Sequence, residues 1–244
     1  MKQQIATFFN KGSSYYTKKA IIQKYVAKKC LQKVSKKFFP SILEIGAGGG
    51  ILTSLLVNYL SFNQLITLDI SKKMLALCPS KATKIVADGE HPPFKNQQFD
   101  LLISSSTMQW YEHGADSILK NLSVLKPLAK FSLAIFVDGT LQELKQASQK
   151  IGFASVFPLK THSTYIDKLQ KNNIKFFFEL EEKKIFFKSV IDLLKNLKYT
   201  GTNYTKSKKG YSRKKFEEFC YFYESNFKKK EGVYTTYKIL YMWN

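Results

Sequence analysis

LEIGAGGG at residues 43–50, followed by Asp69 at the end of a second apolar run, QLITLDI at 64–70, decides the fold of this chain. An acidic residue closing a strand, then Gly46, Gly48 and Gly50 opening a helix, lets a nucleoside-type ligand lie directly on backbone. A dinucleotide fingerprint reads G-x-G-x-x-G, with a pyrophosphate on the helix N-terminus. Here the register is E-x-G-x-G-x-G, and a carboxylate at Glu44, ahead of the first glycine, suits a cation instead. A glycine-rich turn can also end a buried strand with no ligand, and the later residues weigh against that plain reading.

Working outward, Ile22, Val26, Cys30 and Val34 recur at i, i+4 with lysines between them, which predicts an amphipathic helix over 18–38. Pro40 is expected to break it before the strand SILEI. Residues 51–60 supply a crossover helix, QLITLDI a second strand, and SKKMLALC a short helix capped by Ser71. TKIVADGE, FDLLISSS and KFSLAIFV read as third, fourth and fifth strands, with a helix over 114–125 before the last. Alternating β and α units at this spacing specify a mostly parallel sheet with right-handed crossovers, and a ligand at the carboxyl ends of its strands. Beyond residue 138 helices are expected over LQELKQASQ, STYIDKLQKNN, 189–198 and 212–228. The aromatic run IKFFFELEEKKIFF is expected to be extended, and VYTTYKILYMW to form a closing antiparallel strand.

Composition bounds the function. With 244 residues and 44% hydrophobic side chains, one decorated α/β domain over 1–244 is expected. Cys30, Cys78 and Cys220 lack C-x-x-C spacing, so neither a disulfide framework nor a zinc site is indicated, and a reducing cytoplasm fits. No apolar run reaches the roughly 18 residues that span a bilayer, and the N-terminus has no secretory h-region. A formal charge of +21 invites nucleic acid, but Arg213 is the only arginine, so the forks that clamp phosphate or read guanine are nearly absent. No nucleic-acid partner is expected. The charge is uneven: ten lysines and no acidic residue precede Glu44, and TKSKKGYSRKK at 205–215 contains no acid. Such segments, with Lys28, Lys29, Lys206 and Lys208 as representatives, could steer an acidic protein to the site.

The E-x-G-x-G-x-G register resembles motif I of class I S-adenosylmethionine (SAM) methyltransferases. That resemblance implies a seven-stranded, mostly parallel α/β sheet with a helical lid. It implies that Glu44 serves the amino-acid end of SAM, Asp69 the ribose hydroxyls and Asp88 the adenine amino group. Gly46, Ala47, Gly48, Gly50, Ile70, Met74, Gly89, Glu90 and Ser104 would complete the cofactor site. FNKGSSYY at 9–16, LDISKKML at 68–75, DGEHPPF at 88–94, ISSSTMQW at 103–110 and DGTLQEL at 138–144 resemble the family that O-methylates malonyl-acyl carrier protein in biotin synthesis. YTGTNYT, YSRKKF and GVYTTYKILY are similar to that family's ending. The sequence departs at KPLAK, 126–130, where most of these enzymes carry a glycine pair after the proline.

The resemblance implies methyl transfer from SAM to the free carboxylate of a malonyl thioester on acyl carrier protein. A carboxylate is already ionised at neutral pH, so neither a general base nor a metal is called for. Tyr16, Gln109, Trp110, Tyr204 and Arg213 are the candidates for positioning the acceptor, Arg213 by a bidentate pair. His113 reads as an exposed helix start. Residues 1–39 would form a lid helix, and 139–230 an acceptor cap. Two other readings stay open: a methyltransferase of a quinone or small carboxylic acid, and a SAM-fold assembly protein that methylates nothing.

Overall fold

The computed structural model describes Lys2, Thr7, Phe9, Asn10, Tyr16, residues 18–200 and residues 212–244. Tyr204, Lys206 and Lys208 lie outside the described residues. The first full element is helix α1 (Ile21–Gln32). Five strands and three helices then follow: β1 (Phe38–Ile45), α2 (Ile51–Tyr59), β2 (Ser61–Asp69), α3 (Lys72–Leu75), β3 (Thr83–Val86), β4 (Phe99–Ser105), α4 (Ala115–Leu122) and β5 (Leu125–Phe136). A single 3-10 turn, Met108–Trp110, lies between β4 and α4. Helices α5 (Gln142–Ile151) and α6 (His162–Lys171) lead to β6 (Phe177–Phe187), and α7 (Val190–Tyr199) and α8 (Arg213–Phe227) to β7 (Lys228–Lys229) and β8 (Gly232–Trp243).

The strands form one sheet in the order β3-β2-β1-β4-β5-β8-β6. β1 to β5 are parallel, and β8 returns antiparallel to both β5 and β6. The expected seven strands are therefore joined by an eighth, the two-residue β7 paired to the start of β8. Order reverses between β1 and β4, which is where such sheets open a crevice at their carboxyl ends.

Period-two alternation explains how the sheet buries both faces. Ile42, Leu101, Ile103 and Phe136 pack with α1, α2, α5, α7 and α8, whereas Leu43, Ile45, Leu102 and Leu133 pack with α4 and α6. Each such side chain contributes roughly 1.5–3 kcal/mol relative to exposure. In α1, Ile22, Val26 and Cys30 are buried as their spacing predicts. The helix ends at Gln32, however, six residues short of the expected bound, and Pro40 lies inside β1 rather than before it. Pairing with β4 begins only at Ile42, so the missing N–H of Pro40 disrupts no bond to that strand.

Two sequence blocks acquire structural roles. Glu143, in the first turn of α5, is buried and accepts hydrogen bonds from the Thr236 amide (2.8 Å) and the Thr236 hydroxyl (2.5 Å), tying α5 to β8. In KPLAK, Leu128 sits at φ 63° and is 97% exposed. This is the left-handed conformation that glycine adopts without a Cβ penalty. Asn244 steadies the same turn, donating to the Ala129 carbonyl and accepting from the Phe131 amide. Among the described residues no helix is long and apolar enough to cross a membrane.

Candidate active site

The glycine turn is built by backbone bonds to the neighbouring strand. The amides of Gly46 and Ala47 both donate to the Leu68 carbonyl, at 2.7 and 3.1 Å. Gly46 has φ 76°, and a Cβ there would lie 2.0 Å from Thr107 Oγ1, so no side chain fits. Gly48, at φ 52°, has Met74 and Tyr16 as its nearest neighbours at 3.8 Å, leaving its backbone open to the cleft.

Asp69 staples this turn to the next one. Its Oδ2 accepts from the Gly48 amide and its Oδ1 from the Ser71 amide, each at 2.8 Å. Burial pushes its pKa up despite those bonds. Each carboxylate oxygen retains acceptor capacity for a diol above it. Ser71 caps α3 as expected, accepting from the Met74 amide at 3.1 Å. Beneath the turn, Glu44 is buried, and its Oε2 accepts from Thr53 at 2.7 Å. Its Oε1 has no partner among the described residues. Burial pushes the Glu44 pKa up to about 8, the Thr53 bond opposing that rise and the nearby Asp69 charge adding to it.

The cleft of about 90 Å³ above these groups is lined by Gly46, Gly48, Asp69, Ile70, Met74, Asp88 and Gly89, all expected cofactor residues. Tyr16 and Trp110, expected at the acceptor, line it too. Burial, and then the Asp69 charge, raise the Tyr16 pKa, so it remains a neutral hydroxyl. The sequence reading missed Lys2, Phe9, Leu68, Ser105, Ser106, Thr107 and Tyr111. Lys2 binds Asp88 at 2.6 Å and Glu90 at 2.5 Å across 86 and more residues of chain, a contact no local pattern could have signalled. Thr107 was within reach, because a glycine whose Cβ position is taken implies a close neighbour on the next loop.

Several expected residues stand elsewhere. Glu90 is fully buried beside the cleft, not on its lining, accepting from the His113 amide (2.7 Å), the Glu112 amide (3.1 Å) and Ser117 (2.7 Å). Burial alone would raise its pKa, but Lys2, Ser117 and the two amides hold it down at about 2. It anchors the segment before α4. Ser104 donates to the Ile45 carbonyl at 2.8 Å and so ties β4 to β1. Ala47 and Gly50 support the turn from behind, since a Cβ on Gly50 would meet Cys78 backbone at 2.9 Å. Arg213, expected to grip the acceptor, is not in the cleft: its side chain is 91% exposed and pairs with Glu217 one turn along α8. The His113 side chain is exposed, as read from the sequence.

A second cavity of about 240 Å³ adjoins the cleft through Trp110. Its wall is mostly apolar, from Phe136, Leu144, Val156, Leu194 and Leu197, and Gln109 lies at the Trp110 end. Trp110 is clasped by Phe9 (6.3 Å, edge-on) and Phe157 (5.1 Å). Gln109 Nε2 donates to the Ser106 carbonyl at 2.8 Å. Two buried polar atoms at this seam, Gln109 Oε1 and Trp110 Nε1, have no partner among the described residues. An unpaired buried polar group costs roughly 1–3 kcal/mol, which a ligand bridging the two cavities would recover.

Residues 43–133 match a protein family described as a methyltransferase domain. The malonyl-[acyl-carrier protein] O-methyltransferase of Haemophilus influenzae is 32% identical over 98% of this chain and 93% of its own length. The enzyme of the same name from Priestia megaterium is 28% identical over 98% of this chain and 96% of its own. Among solved structures, the YcgJ protein of Bacillus subtilis matches in fold with a TM-score of 0.65 at 13% identity, covering 90% of this chain and 97% of that one. The donor set fits SAM. Asp69 keeps acceptors for a ribose diol and the bare backbone at Gly48 leaves room for the ligand, whereas Glu44, with its unpartnered oxygen, is buried beneath the turn and is not among the residues that line the cleft.

Proposed function

Because the chain belongs to the malonyl-[acyl-carrier protein] O-methyltransferase family, we propose that it esterifies the free carboxylate of a malonyl thioester carried on acyl carrier protein. The coarser function is established: the chain is a SAM-dependent methyltransferase of the class I α/β fold. Bound SAM supplies an electrophilic methyl group on a sulfonium sulfur.

The residues do the rest by binding and positioning. The acceptor enters as a carboxylate and leaves as a neutral ester, so no proton has to move and no base is required. Rate then comes from holding one carboxylate oxygen in line and keeping water out. The observation that carries this reading is the pair of unpartnered atoms at the seam. Trp110 Nε1 is a donor suited to the acyl carboxylate, and Gln109 Oε1 is an acceptor suited to an amide N–H of the thioester arm running into the second cavity. Phe9 and Tyr16 close the cleft from the N-terminal side, in keeping with a single domain whose N-terminal segment and 139–230 insertion cap the acceptor. Three free cysteines accord with a cytoplasmic location.

Trp110→Phe and Gln109→Leu should each lower kcat/KM for malonyl-acyl carrier protein by about tenfold or more, a loss of roughly 1–3 kcal/mol. SAM affinity should hold within about twofold in Gln109→Leu, whose side chain borders the second cavity and not the cofactor cleft. Unchanged kcat/KM in both folded variants would remove the seam from the acceptor site. Faster turnover of a quinone precursor than of the malonyl thioester would favour a small-molecule enzyme instead.

A further inference from the structure

Some of the lysines that could attract an acidic partner are already committed. Lys29 holds Glu179 and Glu181, Lys33 holds Glu179, Lys126 holds Asp100, and Lys168 pairs with Asp116. The N-terminal basic face expected to steer the carrier is thus partly neutralised by β6. A different surface keeps its charge. Lys19, Lys188 and Lys195 line one open groove of about 390 Å³ between the start of α1, the end of β6 and α7, and none has an ion pair among the described residues. Ile21, 52% exposed, and Phe186, 37% exposed, add apolar surface to a lining in which the three lysines outnumber one carboxylate, Asp192.

Helical spacing ties the groove to the acceptor cavity. On α7, Asp192, Lys195 and Tyr199 recur at i, i+3 and i+7 and face the groove, whereas Leu194 and Leu197 line the second cavity. The two surfaces are opposite sides of a single helix, about 10–12 Å thick with its side chains. A partner seated in the groove therefore stands one helix away from the cavity in which its arm would end.

We infer that the groove formed by Lys19, Lys188 and Lys195 with Ile21 and Phe186 is the docking site for an acidic, amphipathic helix of the carrier protein. The inference rests on the proposed carrier-bound substrate. Alternating acid and apolar residues on one helix face would meet the three lysines and the apolar surface together. Charge sets the encounter rate and orientation, and apolar contact retains the complex.

The test uses the full chain with Lys19, Lys188 and Lys195 all changed to Glu. A second triple, Lys120, Lys171 and Lys175 to Glu, carries the same net charge change on other exposed lysines. All six side chains are exposed, so both proteins should fold, and SAM titration checks that they do. At low salt the groove triple should lose about tenfold or more in kcat/KM on malonyl-carrier protein. It should keep its rate on malonyl-coenzyme A, and the second triple should keep both rates within about threefold on the same steering argument. Equal losses in the two triples, or no loss in the groove triple, would overturn the docking site. Failure of the parent protein to methylate either malonyl thioester would overturn the substrate reading instead.

Discussion

Glu44 shows how one residue can report on the cofactor. Its carboxyl is buried with one oxygen unpaired, and burial raises its pKa from 4.5 to about 8. A carboxyl whose folded pKa lies above its unfolded value contributes stability that is fully present below the unfolded pKa. That contribution is lost as pH rises through the folded pKa. The ligand-free protein should therefore lose thermal stability between about pH 5 and 8 on this linkage, and Glu44→Gln should flatten that decline. An ammonium beside Oε1 reverses the preference, so SAM affinity should rise over the same window in the parent and stay flat in the variant. Melting curves and calorimetry across pH read both effects, and a pH-independent affinity in the parent would place the ammonium elsewhere. Asp69 makes a second, separable claim. Asp69→Ala removes charged acceptors worth on the order of 1.5–3 kcal/mol each, so SAM binding should weaken by tenfold or more. An unchanged Kd in the folded variant would mean that Asp69 only staples the Gly48 and Ser71 amides.

At the scale of elements, the strands were legible because each pairs a short apolar run with a turn signal, whereas their order in the sheet is carried by long-range pairing. Boundaries were less so. Pro40 reads locally as a helix stop, yet β1 extends past it because β2 begins pairing as early as Phe38. Leu128 is the clearest local conflict. A left-handed conformation costs a branched residue about 1–2 kcal/mol, and nearly full exposure gives this side chain little packing in return. Leu128→Gly should then be neutral to stabilising by up to about 1 kcal/mol, the gain being reduced by the greater entropy of the unfolded glycine chain. Denaturant unfolding measures it, and a loss above that size would show that Leu128 packs in solution. Arg213 was misread for a reason of the same scale: its type suits a carboxylate, but a helix start facing solvent offers Glu217 first.

At the scale of the whole molecule, Gly46, Gly48, Asp69, Ile70, Asp88 and Gly89, expected at the cofactor and found on the cleft lining, come from consecutive strand ends, so one pass along the chain reaches them. The acceptor half is assembled from distant pieces. Phe9, the turn carrying Gln109 and Trp110, the 154–159 segment and α7 meet only after the sheet has closed, and none announces that meeting locally. The same long-range folding diverts Lys29 and Lys33 to Glu179, so net charge alone did not locate a docking surface. The most direct test of the account is the fate of one labelled methyl group. Incubation of the protein with trideuteromethyl-SAM and malonyl-acyl carrier protein should give a carrier adduct heavier by one labelled methyl, released as methanol by mild alkali. Transfer of label to another acceptor, or SAM binding with no label on the malonyl group, would contradict it.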